Sequence, residues 1–269
     1  PHMVMTAGGT ENLVEWNYIH DVVLDSSDAG AFYMGGQWQP VGSVLQYNKF
    51  ENIGNETRSG NAVYFDDMLC GWKADSNLFI NVAGFSFMCG GGRDITITNN
   101  VIISQSYLYY DDRMRENYLA GVEAFVNQDG GMWASINPAN AWDYKSGVWQ
   151  EQFPIVAAIV TDPSDPDNKD FPINPAYSVV KNNIFCGGWD KWKYRVEDIV
   201  MEYSEIGDYL YNADASRIFV EGTYELNKVG LRSGIEYTPV AVDGYIACMS
   251  PNRTDLRDEF NRFLEYYHE

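Results

Sequence analysis

The chain has 269 residues, 45% of them hydrophobic, enough to bury a large core in one or two domains. Its 18 Lys+Arg against 38 Asp+Glu give a net charge of −20, and such a surface repels polyanions, which argues against nucleic acid or an anionic membrane as partner. No apolar run is long enough to span a bilayer, and Cys70, Cys89, Cys186 and Cys248 show neither zinc nor dithiol spacing, so they read as buried free thiols.

Pro1-His2-Met3 reads as a vector remnant, and His2 is set aside. An internal repeat begins after it. Five octads align on one asparagine: residues 12–19 (NLVEWNYI), 43–50 (SVLQYNKF), 72–79 (WKADSNLF), 95–102 (ITITNNVI) and 178–185 (SVVKNNIF). Asn17, Asn48, Asn77, Asn100 and Asn183 follow one another at spacings of 31, 29, 23 and 83, which are single turns of a β-solenoid, the last carrying a long insertion. Val14, Leu45, Ala74, Ile97 and Val180 form one inward column, and Glu15, Gln46, Asp75, Thr98 and Lys181 the outward one beside it. Ile19, Phe50, Phe79, Ile102 and Phe185 point inward again after a bend. The asparagines are expected at that bend, in left-handed backbone, with their amides bonded from coil to coil.

A second strand recurs at residues 30–35 (GAFYMG), 61–66 (NAVYFD) and 84–89 (GFSFMC). The alignment puts Phe32, Val63 and Ser86 in one inward column and Met34, Phe65 and Met88 in another, with Tyr33, Tyr64 and Phe87 as an outward aromatic ladder. Such a ladder either lies under an insertion or stacks on a flat ligand. The repeat is already running where the chain starts, so further coils or another chain are expected to cover the N-terminal end. Residues 4–190 should form the coils, with 104–177 inserted.

The insertion carries a helical pattern over residues 111–127, then Trp133, Trp142 and Trp149, a short helix-like stretch at 153–160, and an acidic turn at 162–170. That turn has the oxygen density for calcium without EF-hand spacing, and no other cofactor is expected. After residue 186 the repeat fades. Residues 191–269 are expected to cap the same domain, with a partly helical 197–210, irregular strands over 216–244 and an amphipathic helix over 254–267.

Aligned strands align their turns. Residues 35–42, 66–71 and 89–94 are the same turn on successive coils, bearing Trp38, then Asp66 and Asp67, then Arg93 and Asp94. Neighbouring strands lie about 4.8 Å apart. Carboxyl pairs on such a lattice reach the roughly 5–5.5 Å of retaining glycosidases or the roughly 6.5–9.5 Å of inverting ones. Asp66 or Asp67 with Asp94 is therefore a candidate acid/base or acid/nucleophile pair, Arg93 could orient a hydroxyl, and Tyr33, Tyr64 and Trp38 could stack on a sugar. These Asp residues also suit a plain turn role. Asp28 stands at the other end of its strand, and His20 reads as structural.

The stretch from Asn12 to Phe185 resembles the right-handed parallel β-helix proteins of bacterial glycan degradation, through Asn17-Tyr-Ile-His-Asp21, Asp28-Ala-Gly-Ala-Phe-Tyr33, Ala62-Val-Tyr-Phe-Asp-Asp67, Gly91-Gly-Arg-Asp94 and Asn182-Asn-Ile-Phe185. Within that group it looks most like β-helix glycoside hydrolases related to fucosidases and xylanases. The resemblance implies an all-β parallel solenoid, a secreted or cell-envelope location, an oligo- or polysaccharide ligand, and Asp28 with Asp66 or Asp67 as the carboxylates. It departs from the pattern in its short start and in Ala31-Phe32-Tyr33 where Ala-Ile-Tyr is usual. A polysaccharide lyase, using a basic residue or a tyrosine to take a proton from a uronate, and a non-catalytic glycan-binding or surface module are the competing expectations.

Overall fold

A computed structural model describes residues 3–112, 143–160, 164–187, 189–194, 196–207, 241–243 and 246–249. Strands β1 (Met3–Met5), β2 (Leu13–Glu15) and β3 (Tyr18–Val22) form a first circuit. Then come β4 (Gly30–Gly35), β5 (Ser43–Gln46) and β6 (Lys49–Ile53), and β7 (Asn61–Asp66), β8 (Trp72–Asp75) and β9 (Leu78–Val82). The next circuit is β10 (Phe85–Gly90), β11 (Thr96–Thr98) and β12 (Val101–Ile103), followed by β13 (Tyr107–Asp111), β14 (Val179–Lys181) and β15 (Ile184–Cys186), and by β16 (Trp189–Lys193) and β17 (Glu205–Ile206). Every third strand joins the same sheet. Sheet 1 runs β1-β4-β7-β10-β13-β16, sheet 2 β2-β5-β8-β11-β14-β17 and sheet 3 β3-β6-β9-β12-β15, with parallel pairing throughout. Three parallel sheets visited in rotation are compatible with a parallel β-helix.

The short helices α1 (Gly147–Gln152), α2 (Pro154–Ala157) and α3 (Glu197–Tyr203) lie between coils. No described helix is long and apolar enough to cross a membrane. A separate antiparallel pair joins β18 (Ala241–Asp243) and β19 (Ile246–Met249). The helix expected over 111–127 does not begin at Asp111, which ends strand β13; residues 113–127, the helix expected over 254–267, Trp133 and Trp142 fall outside the described residues.

The sheet 2 and sheet 3 registers follow the asparagine repeat. Val14, Leu45, Ala74, Ile97 and Val180 are successive Cα partners, as are Ile19, Phe50, Phe79, Ile102 and Phe185. These columns fill the interior with Phe32, Phe65 and Phe87 from sheet 1. Phe50 and Phe79 stack at 5.0 Å with a 5° interplanar angle. Each side chain removed from water in this way contributes about 1.5–3 kcal/mol.

The ladder asparagines bond as a column. Asn17 Nδ2 donates to Asn48 Oδ1 at 2.9 Å, and Asn48 to Asn77, Asn77 to Asn100 and Asn100 to Asn183 repeat the contact at 3.0 Å. The same Oδ1 atoms accept the backbone N–H of the coil before. The left-handed residue at the bend is, however, the one before each ladder asparagine: Trp16, Tyr47, Ser76, Asn99 and Asn182 have φ of 55–62°. The asparagines are placed for their amides, not for their backbone.

Sheet 1 departs from the expected alignment at its fourth strand. Val63 pairs with Phe87, not Ser86, and Tyr64 with Met88. A register break between Phe85 and Phe87 makes Ser86 an extra residue, its hydroxyl bonded to that of Ser106. Phe87 therefore turns inward onto Phe79 and leaves the outward ladder. Sheet 1 also runs beyond the expected limits: β13 lies inside the stretch read as insertion, and β16 extends to Lys193, beyond the expected end of the coils at residue 190.

A second core forms beside sheets 1 and 2. Trp38, Val41, Met68 and Cys70 from the aligned turns pack on Tyr144, Val156, Ile159, Phe171 and Ile173. Cys70, Cys89 and Cys186 are buried free thiols.

Candidate functional site

The outward face of sheet 1 gathers the chemically active side chains. Tyr33 and Tyr64 are Cα partners with ring centroids 5.2 Å apart, edge to face. Their hydroxyls point to opposite ends of the strands. Tyr64 donates to Asp28 Oδ1 at 3.2 Å, and Tyr33 donates to Asp66 Oδ2 at 3.1 Å. Two carboxylates at opposite strand ends are thus linked through two edge-to-face phenols, although strand geometry alone separates them. The remaining oxygen of Asp66 accepts the Asp67 backbone N–H at 3.0 Å, which fixes the carboxylate plane. Asp67 follows in left-handed backbone, φ 40°.

Glycines make the room for this arrangement. A Cβ on Gly35 would sit 2.9 Å from both the Asp66 Cβ and the Tyr33 hydroxyl, and one on Gly30 would sit 2.8 Å from the Tyr64 Cβ. Only hydrogen at these positions lets the phenols lie along the sheet. Burial, then the charge of Asp66 and its hydrogen bond, then Asp67 and Asp28, push the Tyr33 phenol well above its ordinary pKa. At neutral pH Tyr33 is a donor and not a base.

Asp94 sits elsewhere. It occupies a left-handed bend into sheet 2 (φ 58°), the position filled by Gly42 and Gly71 on earlier coils. Its carboxylate takes the Arg93 Nε at 2.7 Å, and Arg93 Nη1 reaches Asp170 at 3.0 Å. Burial raises the Asp94 pKa against the pull of Arg93. Burial also opposes the charge on Arg93, but Asp94 and Asp170 outweigh it and hold its pKa high. With its side chain only 3% exposed and its guanidinium over the Tyr177 ring at 4.7 Å, Arg93 ties residues 164–177 to the coil and is not presented to a ligand. The structure joins Asp28, Tyr64, Tyr33 and Asp66 on one face. It pairs Asp94 with Arg93 at the edge of sheet 2.

Trp38 is likewise not a surface platform. It is 1% exposed and edge-on to Tyr144 within the second core, because Tyr144, Val156, Ile159, Phe171 and Ile173 pack over the turn that carries it. In the acidic turn, Asp170 is held by Arg93 and Lys169, and Asp165 accepts from Asn168. Among the described residues no group of three or more His, Cys, Asp or Glu side chains is placed to hold a metal ion.

The true register reveals residues that the repeat did not. Gly90 pairs with Asp111, and Asp111 with Lys193. Continuing the β7–β10 register by one residue sets Gly90 beside Asp66. Asp111 therefore stands two strands from Asp66, about 10 Å along the sheet, with a side-chain-free glycine between. Met88, Tyr109 and Lys191 extend the Tyr33–Tyr64 column, Lys191 lying 5.5 Å from the Tyr109 ring. The alternation in Tyr107-Leu-Tyr-Tyr-Asp111 was the available signal. Comparisons with family models, curated proteins and solved structures found no match to this chain.

Proposed function

We propose that this chain forms a right-handed parallel β-helix that acts on glycans outside the cell or in its envelope, as a glycoside hydrolase working through two carboxylates on the outer face of sheet 1. The observation that carries this reading is the linked set Asp28–Tyr64–Tyr33–Asp66. It provides two carboxylates on one face, each accepting a hydrogen bond from a tyrosine of an edge-to-face pair, on a surface whose aromatic rings suit the apolar faces of sugars. It favours Asp28 with Asp66 over Asp66 with Asp94, whose carboxylate Arg93 already engages. Asp67 and Asp111 are the neighbouring carboxyls that could assist.

The lyase reading fits less well. Its base would have to be a deprotonated tyrosine or a basic residue, and Tyr33 is held protonated. Lys191 and Lys193 on β16 are the cations on this face that a uronate would require.

The test is a hydrolysis assay on a panel of neutral and acidic polysaccharides, with Asp28→Asn, Asp66→Asn, Asp67→Asn and Asp94→Asn beside the parent. Loss of turnover by about 10²–10⁴-fold in Asp66→Asn and Asp28→Asn, and far less in Asp94→Asn, is expected. Undiminished turnover in all four removes the carboxylate mechanism. Release of an ultraviolet-absorbing unsaturated uronide makes the protein a lyase, and binding without turnover makes it a binding module.

A further inference from the structure

The segments that lead from sheet 3 back to sheet 1 differ in length. Residues 23–29 and 54–60 make long loops after the first two coils, whereas 83–84 and 104–106 make tight turns after the next two. The step from long to short leaves a cleft of about 830 Å³ at the start of the sheet 1 strands. That is within the size range of small-molecule sites.

Its walls mix amide, hydroxyl and apolar groups with one carboxylate, Glu56. Asn55 and Glu56 stand on the long loop, Asn81 and Ala83 on the floor, and Gln105 and Tyr107 on the far side, and among the described residues no Lys or Arg lines it. Asn81 ends a second ladder of left-handed residues: Asp21, Asn52 and Asn81 have φ of 52–54°, and each amide donates to the coil before it, at 3.0 and 2.7 Å. The next coil offers Ser104 at this level, but its hydroxyl both donates to and accepts from the Val82 backbone, at 2.9 and 3.0 Å. The Asn81 Oδ1 is thus an acceptor left over at the end of the ladder, on the cleft floor. Tyr107 joins the cleft to the rest of the face: its ring meets Phe85 edge-on at 4.6 Å, Phe85 stacks on Tyr109 at 5.3 Å, and Tyr109 continues the column of Met88 and Tyr64.

We propose that this cleft is a subsite for an uncharged sugar unit, one bearing hydroxyls but no carboxylate, sulfate or phosphate. The placement of the scissile bond at Asp28 and Asp66 rests on the hydrolase reading; binding in the cleft does not. Amide and hydroxyl groups exchange hydrogen bonds with sugar hydroxyls, and an aromatic ring takes the C–H face. An anionic sugar would meet no Lys or Arg among the described lining residues and would face Glu56.

Titration calorimetry of the whole chain with xylohexaose, cellohexaose, mannohexaose and hexagalacturonate tests this. Asn81→Gly keeps the left-handed backbone and removes the amide, and Ala83→Leu fills the cleft from an exposed position. Thermal melting confirms that both variants are folded. At least one neutral hexasaccharide should bind, each variant should weaken it about 2–10-fold, the range of a lost hydrogen bond, and hexagalacturonate should bind more weakly. Affinity equal to the parent's in both variants, tighter binding of hexagalacturonate, or binding of none of the neutral glycans overturns the proposal. Cleft-dependent binding with no turnover on any glycan sinks the hydrolase reading alone. Asp66-dependent turnover with Kd and KM untouched by the cleft variants sinks the subsite alone.

Discussion

Truncating one rung of the asparagine ladder should cost far more inside the stack than at its end. Asn77 is fully buried. Its Oδ1 takes the Asn48 backbone N–H and the Asn48 amide, and its Nδ2 reaches the Leu45 and Asp75 carbonyls and Asn100 Oδ1. Asn77→Ala strips the Asn48 N–H of its side-chain acceptor and the two carbonyls of a donor, while Asn100 Oδ1 keeps the Asn77 N–H. A buried polar group left without a partner costs about 1–3 kcal/mol, so one or two such groups give a loss of about 2–5 kcal/mol. Asn17, half-buried at the first rung, donates to the Glu15 carbonyl and to Asn48 Oδ1, which still keeps the Asn17 N–H. Asn17→Ala should cost only about 0.5–1.5 kcal/mol. Equilibrium urea unfolding of both variants reads the difference. Equal losses, or a loss below about 1 kcal/mol for Asn77→Ala, would falsify the ladder as a stabilising column.

Other outcomes follow from the same geometry. On the proposed hydrolase reading, Tyr33→Phe removes the donor to Asp66 and should lower kcat about 10–100-fold, the kinetic equivalent of a hydrogen bond to a charged group. Gly35→Ala, whose Cβ would lie 2.9 Å from the Tyr33 hydroxyl, should reproduce that loss and add little in the double variant; parental activity in Gly35→Ala would contradict the steric reasoning. Trp38→Ala should destabilise by about 3–5 kcal/mol and open residues 143–160 and 164–173 to limited proteolysis, whereas a ligand platform would lose binding at unchanged stability. Asp170 is opposed by burial, but Lys169 and Arg93 outweigh it and hold its pKa below 3.8. Its contribution is therefore present above the unfolded value near 3.9 and is lost as pH falls through the lowered folded value. Asp170→Asn should melt earlier than the parent at pH 7, and the gap should narrow progressively as the pH falls below the unfolded aspartate value of about 3.9; a gap of constant size over that range would show that packing, not charge, is what the substitution disturbs.

Sheets 2 and 3 were legible because an asparagine marks each coil at the same point and the apolar residues alternate about it. Sheet 1 carries no such marker. Its fourth strand was misread because a single extra residue, Ser86, reverses the parity of Phe87 and Met88, and a bulge leaves no signature in an apolar run. Strands β13 and β16 went unseen because their outward positions hold Tyr107, Tyr109, Asp111, Lys191 and Lys193, which read as insertion or loop when no marker anchors them. The burial of Trp38 depends on Phe171 and Ile173, distant in sequence and tied down by the Arg93–Asp170 pair. Asp28 and Asp66 sit at opposite strand ends, and backbone parity says nothing of the reach of the tyrosines that link them.

The vertical stacking of distant segments is tested most directly by a cysteine pair at Glu15→Cys and Gln46→Cys, Cα partners whose native side chains already bond at 2.9 Å. Under mild oxidation, peptide mass spectrometry should find this pair bridged in high yield. Leu13→Cys with Gln46→Cys, displaced by two residues along the strand, lies beyond the roughly 7 Å Cα limit for a disulfide and should stay unbridged. Bridging of the displaced pair, or of neither, would mean that the coils are not stacked in this register.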